Sequence, residues 1–194
     1  MKAQPQVQFE RLSSKPPAWP AMSAWTRAGT VVVWLVFAVY LAFLVKLLLL
    51  SREPGSIRSL NLVPFATISI YLSTASAAAG RFALGNVLGN VAAFVPFGSC
   101  LPLVQGRTRV WPNLRVVVAS SVAVEIAQGL FGVGACDIDD VILNTLGGLL
   151  GTLFFTGLRV MLRSWARVVT VLAALSVVGL PVLSFLLFVV RLRM

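Results

Sequence analysis

The chain has 194 residues, of which 58% are hydrophobic and only 11% charged. A soluble domain carries nearer ~25% charged residues, and a mean hydropathy of +0.92 means more apolar surface than a soluble interior can hide, so lipid must be the solvent. Sixteen basic residues against six acidic ones give a net charge of +10, which in such a chain bears on membrane orientation rather than on nucleic acid.

Residues 1–27 are polar and proline-rich, with Pro5, Pro16, Pro17 and Pro20, and read as a disordered tail. Residues 28–50 form a first predicted span, with Lys46 placed to snorkel. Residues 51–60, carrying Arg52, Glu53, Pro54 and Arg58, are a loop. Residues 61–80 open on Asn61-Leu62-Val63-Pro64-Phe65 and are uncharged but only weakly apolar, which predicts a re-entrant or interfacial segment. A second span covers 82–104, interrupted at Pro96 and closed near Pro102. A basic turn precedes the third span, 114–131, which contains Glu125. A short loop holds Gly132, Gly134, Asp137, Asp139 and Asp140, and a fourth span follows over 141–158. Arg159, Arg163 and Arg167 lead into a fifth, 168–190, with Pro181 as a kink. The expected fold is all-α: a polytopic transmembrane helical bundle of about five spans plus one re-entrant segment, with a tail over 1–27 and a membrane domain over 28–194.

With the N-terminus inside, five spans place ten Lys and Arg on cytoplasmic segments and five outside. That bias favours the N-in orientation. It disappears if 61–80 also spans. The sequence therefore predicts a multi-pass membrane protein with its N-terminus on the cytoplasmic side, and with 61–80 and the aspartate loop on the outer side.

Histidine is absent. That excludes Ser-His-Asp and Cys-His triads, His-ligated zinc and any imidazole acid–base. Cys100 and Cys136 form no CxxC, and lie too far apart along the predicted spans to pair. The remaining chemistry belongs to carboxylates and amides. Asn90, Glu125 and Asn144 fall at similar depth, roughly 9–12 Å below the outer helix ends. Asn86 and Asn90 are one turn apart, as are Glu125 and Gln128, and Asp140 and Asn144. Each pair shares a helix face. Gly85-x-x-x-Gly89 and Gly147-x-x-x-Gly151 are small-residue patterns for close approach, and suggest that spans two and four pair.

Glu125 is the one carboxylate inside a predicted span, and an ionisable group there is by default functional. The alternative is a group that ties helices together, and the same holds for the amides. Asp137, Asp139 and Asp140 could hold a divalent cation. They equally suit helix capping, with Asp139 or Asp140 as N-cap.

The segments Asn61–Phe65, Gly85–Gly98, Ser120–Gln128 and Asp137–Gly151 together resemble the VanZ-like family of bacterial membrane proteins over about residues 30–160. The resemblance implies a small polytopic helical bundle, and a family whose founding member is associated with low-level teicoplanin resistance. It carries the family's polar positions onto Asn61, Asn86, Asn90, Glu125, Gln128, Asp137, Asp140 and Asn144, along with Pro64, Phe65, Pro96, Gly98 and Gly148. Relatives that carry an arginine just before the aspartates differ from this chain, whose Gly132–Cys136 has none.

Three functions compete. The first is a non-catalytic protein whose outer polar site binds a cell-wall lipid intermediate or a lipidated glycopeptide, with the bilayer as its other partner and no nucleic acid. The second is a membrane-embedded enzyme acting on a polyprenyl or peptidoglycan precursor, with Glu125 as acid–base and Asp137/Asp140 holding Mg²⁺. The want of histidine and of a clear nucleophile weighs against it. The third, a transporter, lacks any internal repeat.

Overall fold

The computed structural model describes residues 16–50, 60–73, 77–106, 108–134 and 136–191. Most of the expected N-terminal tail and nearly all of the loop over 51–60 lie outside the described residues. The elements in order are α1 (Ala24–Val45), which continues as a wide turn over Lys46–Leu50, β1 (Leu60–Asn61), α2 (Ala66–Ser73), α3 (Ala77–Gln105), α4 (Val110–Phe131), β2 (Cys136–Asp137), α5 (Ile138–Leu162) and α6 (Trp165–Arg191). Among the described residues, four segments are long and apolar enough to cross a membrane: Ala24–Leu49, Leu84–Gln105, Val110–Phe131 and Ile138–Leu162. In α6, of 27 residues, the apolar stretch found among the described residues is Trp165–Gly179. The fold is thus nearly all helical, as expected for chains that must satisfy their backbone inside lipid.

Helices α3 and α4 differ from their predicted course. Pro96 and Pro102 lie inside α3 rather than interrupting and closing it. Pro102 has no N–H to give the carbonyl of Gly98 one turn back, and that carbonyl instead accepts the hydroxyl of Thr152 at 3.2 Å. A neighbouring helix satisfies the group that proline frees, which is how membrane helices tolerate the residue. Helix α4 begins earlier than predicted, with Pro112 in its first turn, where a missing N–H costs nothing. It ends at Gly132, in the left-handed conformation (φ 66°), whose N–H reaches the Gln128 carbonyl.

The chain divides into two compact units, Phe43–Phe155 and Met1–Ala42 with Thr156–Met194. In the second, α1 packs on α6. A Cβ added at Gly29 would stand 3.3 Å from Val169 and 3.8 Å from Ala173. The Arg159 guanidinium, buried near the end of α5, lies 4.7 Å from the centre of the Trp165 ring. A ring face stabilises a cation withdrawn from water.

In the unit Phe43–Phe155, helices α3 and α5 nearly touch backbones. A Cβ at Gly147 would overlap the Val91 carbonyl, and one at Gly151 the Val95 carbonyl. On α3 the matching residue is Gly98, whose added Cβ would meet the Gly148 backbone, with Gly148 Cα at 2.7 Å. Spans two and four do pair, but Gly85 and Gly89 are not the contact: nothing described lies within 4 Å of either. Spacing shows which residues share a face, not which face meets a neighbour. Gly148 also faces α4, since a Cβ there would lie 2.6 Å from Val117 Cγ2. Glycine on α5 therefore lets both α3 and α4 approach closely, gaining van der Waals contact where lipid supplies no hydrophobic drive.

Candidate functional site

On α4 the buried residues are Asn113, Val117, Ser121, Glu125 and Gln128. They recur at steps of three or four, so one stripe of the helix faces the protein. Three polar side chains on that stripe are met by polar groups from α5, the aspartate loop and the turn after α1. Asn144 donates to the Ser121 hydroxyl at 3.0 Å. Gln128 donates to the carbonyl of Leu48 at 3.0 Å, within the wide turn where α1 runs out of helical partners. Glu125, 3% exposed, accepts the backbone N–H of Asp137 on Oε2 at 2.9 Å.

That last bond aims the aspartate loop. Strand β2 pairs in parallel with β1, Leu60 opposite Cys136 and Asn61 opposite Asp137. Two residues per strand are too few to hold a pairing alone, so side chains complete it. Asn61 Nδ2 donates to Asp137 Oδ1 at 2.9 Å, and the Thr67 hydroxyl donates to Asp137 Oδ2 at 2.6 Å. The same Asp137 Oδ1 accepts the N–H of Asp139 at 2.9 Å. Asp137 is therefore the N-cap of α5, in place of the expected Asp139 or Asp140.

Asp139 caps a different helix. Its carboxylate accepts the N–H groups of Phe65, Thr67 at 2.9 Å and Ile68 at 3.2 Å, at the start of α2. An eight-residue helix is marginal by itself, and an anion across its N-terminus stabilises it. Before it lies a tight turn. The Ala66 N–H bonds to the Val63 carbonyl at 3.3 Å, with Pro64 second and Phe65 third at φ 65°. Proline followed by a positive φ is the type II pattern, which normally calls for glycine. Phenylalanine there costs about 1–2 kcal/mol, and the Asp139 bond helps hold it.

Asp140 is half-buried and accepts Asn90 Nδ2 from α3. Asn86, half-buried, lies one turn earlier on the same helix. The structure thus brings Asn61, Asn90, Glu125, Asp137, Asp139 and Asp140 into one hydrogen-bonded neighbourhood, with Asn144 and Gln128 a turn away along α5 and α4. The three aspartates weighed for a divalent cation or for capping all accept hydrogen bonds in this structure. Asp137 and Asp139 accept protein donors on both oxygens, and among the described residues no group of three or more acids and cysteines is placed to hold a metal ion.

Sequence reasoning passed over three residues. Thr67 and Ser121 are ordinary in sequence, and only the α2 and α4 geometry shows them bonded to Asp137 and Asn144. Asn113 fell in a predicted turn, yet it is fully buried, with neither side-chain polar atom hydrogen-bonded among the described residues. Cys136, between the spanning helices, has its thiol pKa pushed up by burial and then by the negative charges of Glu125 and Asp137.

The site is drawn from segments whose order along the chain matches a known family. The model of the VanZ/LLP1 family matches residues 31–178. The chain belongs to the VanZ/LLP1 family. It is 36% identical to Protein VanZ of Enterococcus faecium over 123 residues, covering 60% of this chain and 68% of that one. No solved structure matches it. As a VanZ/LLP1 member with several apolar helices, it is a multi-pass membrane protein, and the hydrogen-bonded neighbourhood lies where α4 ends and α5 begins.

Proposed function

We propose that this VanZ/LLP1 protein is non-catalytic and binds an amphiphile of the cell envelope at an outward-facing polar site. The ligand would be a cell-wall lipid intermediate or a lipidated glycopeptide such as teicoplanin. The observation that carries the reading is the convergence of β1, α3, α4 and α5 on one end of the spanning helices, where Glu125 sits buried and hydrogen-bonded beside Asp137. Arg109 and Arg115 lie at the start of α4, the end away from the site, which supports the N-in orientation. Asp137 and Asp139 spend their oxygens on local structure, which favours a binding role over acid–base chemistry.

The test is expression in a teicoplanin-sensitive bacterium, with the inhibitory concentration and the binding of fluorescently labelled teicoplanin to whole cells measured together. The expected result is reduced susceptibility that Glu125→Gln and Asn90→Ala abolish while protein levels hold. Unchanged susceptibility and unchanged drug binding would overturn it. A cysteine at Ser69, which is exposed, should react with an impermeant maleimide from outside intact cells. Reaction only after lysis refutes the orientation.

A further inference from the structure

The segment from Leu60 to Ile68 has two faces. Asn61 and Thr67 turn inward onto Asp137, as the bonds above show. Leu60, Leu62, Val63 and Phe65 turn outward, at 66, 65, 64 and 58% exposure. Large apolar side chains in a row at a loop tip are not the ordinary scatter of a protein surface. The turn holds Phe65 in a conformation that glycine would adopt freely, yet the Phe65 side chain is left exposed rather than buried. The backbone between the two faces is pinned by Asp139 on three N–H groups.

What lies beyond the tip follows from its neighbours. Leu60 pairs with Cys136, and the Cys136 side chain lies beside Gly129 of α4, 3.6 Å from an added Cβ. The next α4 residues, Leu130 and Phe131, are 74 and 66% exposed at the end of a spanning segment. The apolar tip is thus continuous with the helix surface that meets lipid.

We infer that Leu62, Val63 and Phe65 form a wedge seated in the hydrocarbon edge of the adjacent leaflet, clamped from behind by Asp139. The occupant of this surface is the bilayer itself. The wedge holds the polar neighbourhood of Asp137 at the level where headgroups give way to acyl chains, the depth at which interfacial amphipathic segments rest. This holds whatever ligand the polar site takes.

The test uses the full chain with Cys100→Ala and Cys136→Ala, labelled with an environment-sensitive nitrobenzoxadiazole dye at Val63→Cys. Arg109→Cys, in an exposed turn, serves as the aqueous reference. Both are reconstituted in phosphatidylcholine–phosphatidylglycerol vesicles. The label at 63 should emit further to the blue. It should be quenched several-fold more by shallow doxyl-phosphatidylcholine than the label at 109, and several-fold less by iodide. Leu62→Cys should behave alike, which guards against one badly folded variant. Labels at 62 and 63 matching the reference overturn the wedge. So does blue emission without doxyl quenching, which would mean that a second copy covers the tip. Adding Asp139→Asn should cut the doxyl quenching at 63 several-fold, and no change removes the clamp.

Discussion

Asp139→Ala is the most direct perturbation of the loop architecture. It strips the acceptor from three N–H groups, of Phe65, Thr67 and Ile68. Each intramolecular bond is worth about 1 kcal/mol net, more for a charged acceptor. The residues are exposed or half-buried, so water replaces part of the loss and the lower figure applies, about 3 kcal/mol for the set. Without that acceptor Phe65 relaxes from its left-handed conformation while the loop is still closed, which returns about 1 kcal/mol. The net destabilisation of the local fold is then about 2 kcal/mol, or a factor of roughly 30 in the opening equilibrium. Amide hydrogen exchange in lipid nanodiscs reads this directly. Protection of peptides covering 65–68 should fall by roughly 30-fold, while α4 and the membrane part of α5 stay unchanged. A fall of less than about threefold, under 1 kcal/mol, would mean that Asp139 does not hold the turn.

Other substitutions test other joints of the molecule. Gly151→Val should lower thermal stability in detergent by about 3 kcal/mol, because the new side chain meets the Val95 carbonyl and the Ser99 backbone, whereas Gly85→Ala should change little. Ser121→Ala removes the partner of Asn144 Nδ2 and should cost about 1 kcal/mol by thermal unfolding, the usual scale for an interhelical polar bond in a membrane. The Cys136 thiol, raised by burial and then by Glu125 and Asp137, should alkylate slowly at neutral pH in a Cys100→Ala background and accelerate only on the alkaline side. Glu125→Gln removes one negative neighbour, favours the thiolate and should move that pH profile down. An upward shift or none at all contradicts the assignment.

Much of the membrane architecture is written locally. A run such as Ala28–Val45 must be helical in lipid wherever it packs, because only its own backbone can satisfy its N–H and C=O groups. Glu125 stood out for a similar reason: a carboxylate in a span is costly anywhere, so its presence is informative without neighbours. The motif order through Asn61, Asn90, Glu125 and Asp137 likewise sufficed to find the family. Division of labour among the aspartates was another matter. Asp137, Asp139 and Asp140 are nearly equivalent in sequence, yet one caps α5, one caps α2 from more than seventy residues away, and one meets Asn90. Gly85-x-x-x-Gly89 and Gly147-x-x-x-Gly151 are equally good patterns, and among the described residues only the second is a contact.

The difference lies in what each inference needs. Transfer from water to lipid depends on a residue and its immediate chain neighbours, so composition and periodicity determine that this protein spans a membrane and where its costly groups lie. Hydrogen bonds and close packing depend on which atoms come within about 3 Å. The pairing of Leu60–Asn61 with Cys136–Asp137, the positive φ at Phe65 and the partner of each carboxylate arise from segments distant in sequence. Only the tertiary structure could decide them.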